Sequence, residues 1–277
     1  MTNHVGATKV RTLFVSDFHL GTAGCKAELL LDFLRSFEAS TIYLIGDIVD
    51  DQRLRPGRAW PRPHLDVVAE LLARVQGGAR IIYIPGNHDE SLRKFIGLDI
   101  GGIKVADSAI HENVDGRRFL VLHGDQVDIV VQRIRWLALV GTWAYRASLA
   151  ISPRMTLPPR RLGSAYGSLS ARARLSIRSV INAISRSEEM LATEVRRHDV
   201  QGVVCGHTHH AEDGQLAGVR YLNTGDWVES CTGVVEYQDG RLELVRWAER
   251  AVLQTNKVQV LRQGDAGFPS ADIQVAA

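Results

Sequence analysis

Five apolar runs in this chain end in residues that bind metals or carry protons. The first ends in Asp17-Phe18-His19, the second in Gly46-Asp47 and the third in Gly86-Asn87-His88-Asp89; the fourth ends in His123-Gly124-Asp125 and the fifth in Gly206-His207-Thr208-His209. Five of the ten histidines occupy these positions. Carboxylate, imidazole and amide donors without a thiolate suit a borderline or moderately hard divalent ion such as Mn²⁺, Fe²⁺ or Zn²⁺. Asp17, His19, Asp47, Asn87, His123, His207 and His209 together exceed what one tetrahedral ion requires. Two ions are the natural solution, with Asp47, alone at the end of its run, as the shared carboxylate. Such a pair, about 3.5–4 Å apart, lowers the pKa of a bridging water and clamps the attacking and leaving oxygens of an in-line displacement. The substrate that fits is a phosphate ester or anhydride. Its leaving oxygen needs a proton, which His88 is placed to give, with Asp89 able to orient the ring.

Taken singly, each residue has an ordinary use: Asp17 and Asp47 as caps, Asn87 as a turn former, His123 as a hydrogen-bonded core histidine. The set carries the metal reading, because the donors stand at the ends of five different runs. His210 follows the His207/His209 pair and points the other way, so it is a bystander. His4, His64, His111 and His198 stay structural, and Cys205 is a buried apolar filler.

For these side chains to meet, the runs must be strands whose C-terminal ends share one edge, where α/β sheets bind ligands. Residues 10–16, 41–46 and 80–86 are apolar and rich in strand formers. Between them, residues 26–38 place Leu30, Phe33, Leu34 and Phe37 at helical spacing, and residues 64–78 form a second amphipathic helix closed by Gly77 and Gly78. Strand, helix, strand, helix, strand predicts parallel crossover units. On extended backbone an i, i+2 pair points to one side, so Asp17/His19 and His207/His209 each present two donors together. Gly46, Gly86, Gly124 and Gly206 permit tight turns and close backbone approach. Further on, residues 111–114 and 117–123 flank Asp115-Gly116, and residues 234–238 and 241–247 flank Asp239-Gly240. Both Asp-Gly pairs suit two-residue hairpin turns. Parallel units followed by hairpins imply two packed sheets.

Residues 126–198 differ. They read as helical, with a Pro-rich break at 152–161, and between 126 and 195 there are ten arginines, no lysine and four acids. This is a helical cap inserted in the main domain. Its apolar stretch 134–151 has Arg133, Arg135 and Arg146 at its margins, while Arg174 and Arg178 belong to an arginine-rich helix suited to neutralising a diphosphate by bidentate contacts. An apolar helix beside it suits acyl chains or the bilayer interface. The cap therefore predicts an amphiphilic phosphate substrate, against the plainer expectation of a helical hairpin with its arginines in water. Residues 253–277 are a loose tail.

The 277 residues, with a formal charge of +2 and 45% hydrophobic content, suit one large α/β domain with an insertion. So small a charge argues against a nucleic-acid binder working by bulk electrostatics. Cys25, Cys205 and Cys231 form no C-x-x-C pair, which fits a reducing cytoplasm. The N-terminal residues lack the apolar segment of a signal peptide. The best membrane candidate, residues 136–145, is half the roughly 20 residues a spanning helix needs. The expected location is cytoplasmic, and the cap suits peripheral contact at the inner membrane surface.

The motifs DFH, GD, GNHD, HGD and GHTH, in that order, resemble the calcineurin-like metallophosphoesterase superfamily over residues 10–249. The resemblance implies an α/β sandwich of two β-sheets flanked by helices. It gives one metal Asp17, His19, Asp47 and His209, and the other Asp47, Asn87, His123 and His207. His88 becomes the histidine that stabilises the transition state and protonates the leaving group. With the helical insertion and YLNTGDWVES at 221–230, the chain is similar to the bacterial UDP-2,3-diacylglucosamine pyrophosphohydrolase group. That similarity implies release of UMP and a lipid monophosphate, in lipid A biosynthesis, usually with Mn²⁺. One departure is His88 itself: the lipid A enzymes of that group have Gly-Asn-Arg-Asp, whereas GNHD is the general superfamily form. A phosphodiesterase or phosphatase for a soluble substrate is the second enzymatic expectation. A binding scaffold without turnover is a third, opposed by the presence of all seven donors and His88.

Overall fold

The computed structural model describes residues 6–51, 59–125, 193–216 and 218–250. The cap predicted over 126–198, with Arg174 and Arg178, lies outside them except for residues 193–198, which are helical. The tail at 253–277 also lies outside.

Twelve strands are described in two sheets. β1 (Thr8–Val15), β2 (Phe37–Ile45), β3 (Arg80–Ile84), β4 (Asp99–Ile100), β5 (Ile103–Val105), β11 (Thr232–Glu236) and β12 (Leu242–Arg246) form a seven-stranded sheet in the order β12-β11-β1-β2-β3-β5-β4. β6 (Ala109–Glu112), β7 (Arg118–Val121), β8 (Gly202–Cys205), β9 (Glu212–Leu216) and β10 (Val219–Asn223) form a five-stranded sheet in the order β6-β7-β8-β10-β9. β1, β2 and β3 are parallel neighbours in which Thr12, Thr41 and Arg80 share one register row. That row fixes the height at which Asp17, Asp47 and Asn87 leave the sheet.

The predicted helices form as α1 (Ala27–Ser36) and α2 (Arg62–Gln76). α1 buries Ala27, Leu30, Phe33 and Leu34 on one face. It stops sooner than its apolar spacing suggests, since Phe37 is extended and already opens β2. Arg74 of α2 explains the sharp stop: its guanidinium donates to the carbonyls of Leu34 and Phe37, each at 2.6 Å, groups a helix end leaves unsatisfied. Beneath α1, Phe33 packs against Phe37, Trp227 and Trp247 with ring centroids 5.1–5.4 Å away. Between the sheets, Phe14, Tyr43, Ile45, Ile84, Phe119, Val121, Val204 and Leu222 form a second core. Each large side chain so buried contributes about 1.5–3 kcal/mol.

Both Asp-Gly hairpins are present, with loops one residue longer than expected. Asn113 N donates to Arg117 O and Tyr237 N to Arg241 O, so each loop holds three residues ending in Gly116 or Gly240 at positive φ. Asp115 and Asp239 spend their side chains on the following arginine amides, which favours a turn with a bulge over the tighter type. Among the described residues no helix is long and apolar enough to cross a membrane.

Candidate metal centre

The loop after β1 and the loop after β2 run side by side. Asp17 N donates to Gly46 O at 3.0 Å, His19 N to Asp47 O at 2.9 Å and Leu20 N to Ile48 O at 2.9 Å. The backbone there is not the extended chain that an i, i+2 argument assumes. Asp17, His19, Asp47, His207 and His209 all have φ between 51° and 68°. Left-handed backbone at a non-glycine residue costs on the order of 1 kcal/mol or more, and persists where surrounding contacts over-determine it. Here it coils each strand end back on itself and brings all five side chains inward.

Donor atoms of Asp17, His19, Asp47 and His209 lie within 4.8 Å of one another, and so do those of Asp47, His123 and His207. Asp47 belongs to both groups. Asn87, in the loop after β3, follows Gly86, whose backbone is packed against Asp47 and His123. A third set, His19, Asp50 and His88, adjoins the first.

Hydrogen bonds set which atom of each ligand is left over. Asp17 Oδ2 accepts from Ser16 Oγ and from His207 N, the latter at 3.0 Å, while its buried Oδ1 makes no hydrogen bond. His123 places Nδ1 2.8 Å from Ile45 O, which must therefore be the protonated nitrogen, and its buried Nε2 makes no hydrogen bond. His209 places Nδ1 2.9 Å from Asp226 Oδ2, freeing Nε2, which stands 3.3 Å from Asp17 Oδ1. A buried carboxylate oxygen and imidazole nitrogen left without hydrogen bonds ask for a cation, and the mixed oxygen and nitrogen donors fit a divalent one.

Two of the imidazoles, His123 and His209, favour the charged form beside the carboxylates, and two do not. Burial works against the charged form of His123, but Asp47 and Asp17 raise it to about 9. Burial likewise opposes protonation of His209, yet the carboxylates of Asp17 and Asp226 raise it to about 10. His207, buried and beside His123, falls to about 4, and burial also lowers His19. Burial opposes ionisation of Asp47, but His123 and the His88 amide hold its carboxyl far below the usual range.

The glycines leave room rather than merely bend. A Cβ on Gly86 would sit 2.3 Å from Asp47 Oδ1 and 2.6 Å from His123 Nε2; on Gly206 it would sit 2.4 Å from Ser16 Oγ. Gly124 meets no such crowding but has φ +113°.

Residues 10–211 match the family model for calcineurin-like phosphoesterases. The chain belongs to the calcineurin-like phosphoesterase family. It is a metal-dependent phosphoester hydrolase. UDP-2,3-diacylglucosamine hydrolase of Salmonella agona (strain SL483) is 28% identical over 222 residues, spanning 74% of this chain and 85% of that protein. The protein of the same name from Salmonella dublin is also 28% identical over the same shares. A conserved protein of Streptococcus pneumoniae TIGR4, described as a predicted phosphoesterase, covers 86% of this chain and 90% of its own at 12% identity and a TM-score of 0.39.

In this phosphoesterase Asp89 does not orient His88. Its carboxylate accepts from Ile48 N (2.9 Å), Gly86 N (2.5 Å) and Tyr83 Oη (2.5 Å) and is buried. It clips the GNHD loop to the loop after β2, and burial raises its carboxyl. The carboxylate nearest the His88 ring is Asp50, whose Oδ2 lies 3.4 Å from His88 Nδ1 and 3.7 Å from His19 Nδ1. The His88 and His19 rings meet edge to face at 4.9 Å, and 30% of the His88 side chain is exposed.

Sequence reasoning missed Asp50 and Asp226. Asp50 follows Asp47 by three residues in GDIVD, and its spacing was the only signal. Asp226 lies in the GDW that follows β10, where its Oδ1 accepts from Glu229 N, Ser230 N and Ser230 Oγ. His210 is exposed, and no donor group includes it. His64 and His111 are buried, accepting from Gly21 N and pairing with Glu236 respectively.

Proposed function

We propose that this phosphoesterase holds two divalent ions, one by Asp17, His19, Asp47 and His209, the other by Asp47, Asn87, His123 and His207. The observation that carries the reading is the membership of Asp47 in both donor groups. When bound, the ions supply Lewis-acid stabilisation of charge on the phosphoryl oxygens and an activated nucleophile. His88, whose Nδ1 faces Asp50 across 3.4 Å, hands a proton to the leaving oxygen from its other ring nitrogen. Its partial exposure leaves that face open to substrate.

The substrate we infer is UDP-2,3-diacylglucosamine or a similar lipid-linked nucleotide diphosphate, cleaved to UMP and a lipid monophosphate. Similarity to the Salmonella hydrolases across 74% of this chain supports it. Mn²⁺ is the proposed metal, Arg174 and Arg178 the proposed diphosphate contacts, and residues 136–145 the proposed contact with the inner membrane surface. His88 in place of an arginine favours a second reading, a phosphodiesterase or phosphatase acting on a soluble substrate.

One assay separates them: UMP release from UDP-2,3-diacylglucosamine by the Mn²⁺-loaded chain, with His88→Ala as control. Turnover abolished in the control supports the lipid substrate. Hydrolysis of a generic phosphodiester without UMP release rejects it and keeps the metal chemistry. His207→Ala and His209→Ala should each lose metal and activity, while His210→Ala keeps both.

A further inference from the structure

The loops after β1, β2 and β3 carry a further set of donors beside the two-ion centre. His19, Asp50 and His88 each offer one atom, and the three atoms lie within 4.8 Å of one another. Backbone contacts fix these loops together. Leu20 pairs with Val49 as a parallel bridge, Asp50 N donates to Leu20 O at 3.2 Å and Asp51 N to His88 O at 3.0 Å. Asp50 and His19 are buried.

The spacing of the three atoms is too wide for hydrogen bonds and suits ligands around an ion. Asp50 Oδ2 lies 3.4 Å from His88 Nδ1 and 3.7 Å from His19 Nδ1, whereas an N–H···O bond spans roughly 2.7–3.2 Å. His88 Nδ1 is a buried nitrogen that makes no hydrogen bond, and such a nitrogen asks for a partner. Ligand atoms about 2.0–2.2 Å from a tetrahedral zinc ion stand roughly 3.3–3.6 Å apart. Two imidazole nitrogens and a carboxylate are a zinc set, with the fourth position left to water. The open side of the His88 ring gives the ion a way in.

We propose that His88 Nδ1, Asp50 and His19 Nδ1 form a third cation site, which takes Zn²⁺ and inhibits the enzyme. The inhibition rests on the role given to His88 under the proposed function. Each ring binds the third ion through the Nδ1 lone pair. His19 already gives Nε2 to the first ion, and a neutral imidazole has one lone pair. Its ring therefore sheds the remaining N–H proton to water and bridges the two ions as an imidazolate. His88 keeps its Nε2 proton, now on a ring with zinc at Nδ1 in place of the second proton of an imidazolium. A zinc-bound neutral imidazole gives up its N–H less readily than imidazolium does, so the leaving oxygen loses its proton donor.

Equilibrium dialysis of the full chain against rising Zn²⁺ counts the ions, with hydrolysis of a generic phosphodiester followed in parallel. The native chain should take up a third equivalent after the first two, and turnover should fall as it binds. His88→Ala and Asp50→Ala should each lose the third equivalent and keep the first two. Anomalous diffraction at the zinc edge should place a peak between His88 Nδ1 and Asp50 in native crystals and none there in His88→Ala. The same zinc count in the native and His88→Ala chains would overturn the site, and a third equivalent that leaves turnover unchanged would overturn the inhibition. Failure of the two-ion reading is distinguishable, because the first two equivalents would then be missing.

Discussion

His209 donates its Nδ1 proton to Asp226 across 2.9 Å, and Asp226 in turn holds the turn at Glu229 and Ser230. The carboxylate fixes the tautomer that leaves Nε2 for a metal. Asp226→Ala should therefore weaken divalent-metal affinity by about 10–100-fold, read by calorimetric titration of the metal-free chain. Ser230→Ala, which removes a donor to the same carboxylate, should cost far less. Equal affinity in Asp226→Ala and the native protein would show that His209 needs no such support.

Gly86→Ala should abolish metal loading, because the new methyl would stand where Asp47 Oδ1 and His123 Nε2 approach the loop. Gly101→Ala is a useful control, since nothing lies within 4 Å of its Cβ position even though its φ is +62°. Metal content measured after gel filtration distinguishes a lost site from a lost fold.

Asp89 should behave as a structural residue. Asp89→Asn retains one acceptor for three donors and should lower stability by about 2–3 kcal/mol, whereas Tyr83→Phe removes a single bond and should cost about 1–2 kcal/mol. Denaturant titration checks both. His88→Ala should leave the unfolding midpoint nearly unchanged while removing turnover, the reverse of the Asp89 result.

Acid should weaken the clamp between the two sheets at Glu236. Burial opposes its ionisation, but His111, Thr12 and Arg11 overcome this and hold its carboxyl below the ordinary value of 4.5. A depressed carboxylate contributes stability that is fully present above that ordinary value and is lost as pH falls through the lower, folded one. Glu236→Gln should flatten the stability profile below about pH 4.5 and leave its neutral limb parallel to the native one; thermal melts across pH 3–7 would show whether it does.

Much of the scaffold was legible because its elements follow strong periodic patterns. The apolar runs before Asp17, Asp47 and Gly86 became β1, β2 and β3, and Leu30, Phe33 and Leu34 did face the core from α1. The donors also converge, yet for a reason the periodicity did not contain. Alternation along a strand explains a shared side only on extended backbone, and these residues are left-handed. Aspartate and histidine tolerate that conformation better than most residues, but it remains uncommon. At Asp17 and His19 tertiary hydrogen bonds from Asp17 N to Gly46 O and from His19 N to Asp47 O help to hold it. Asp89 and Asp50 show a related limit. Adjacency in sequence suggested that Asp89 serves His88, but successive residues point apart, and the carboxylate that reaches the ring arrives from another strand end.

The shared row of Thr12, Thr41 and Arg80 has a bearing on how the gene can change. Four residues separate Thr12 from Asp17, five separate Thr41 from Asp47 and five separate Arg80 from Gly86. Adding or deleting a single codon within any of these spans would turn every later side chain to the opposite face and shift a ligand by about 3.3 Å. The hairpin loops ending at Gly116 and Gly240 connect no ligand to the sheet, so length variation among homologues belongs there, and the three central spans should keep one length.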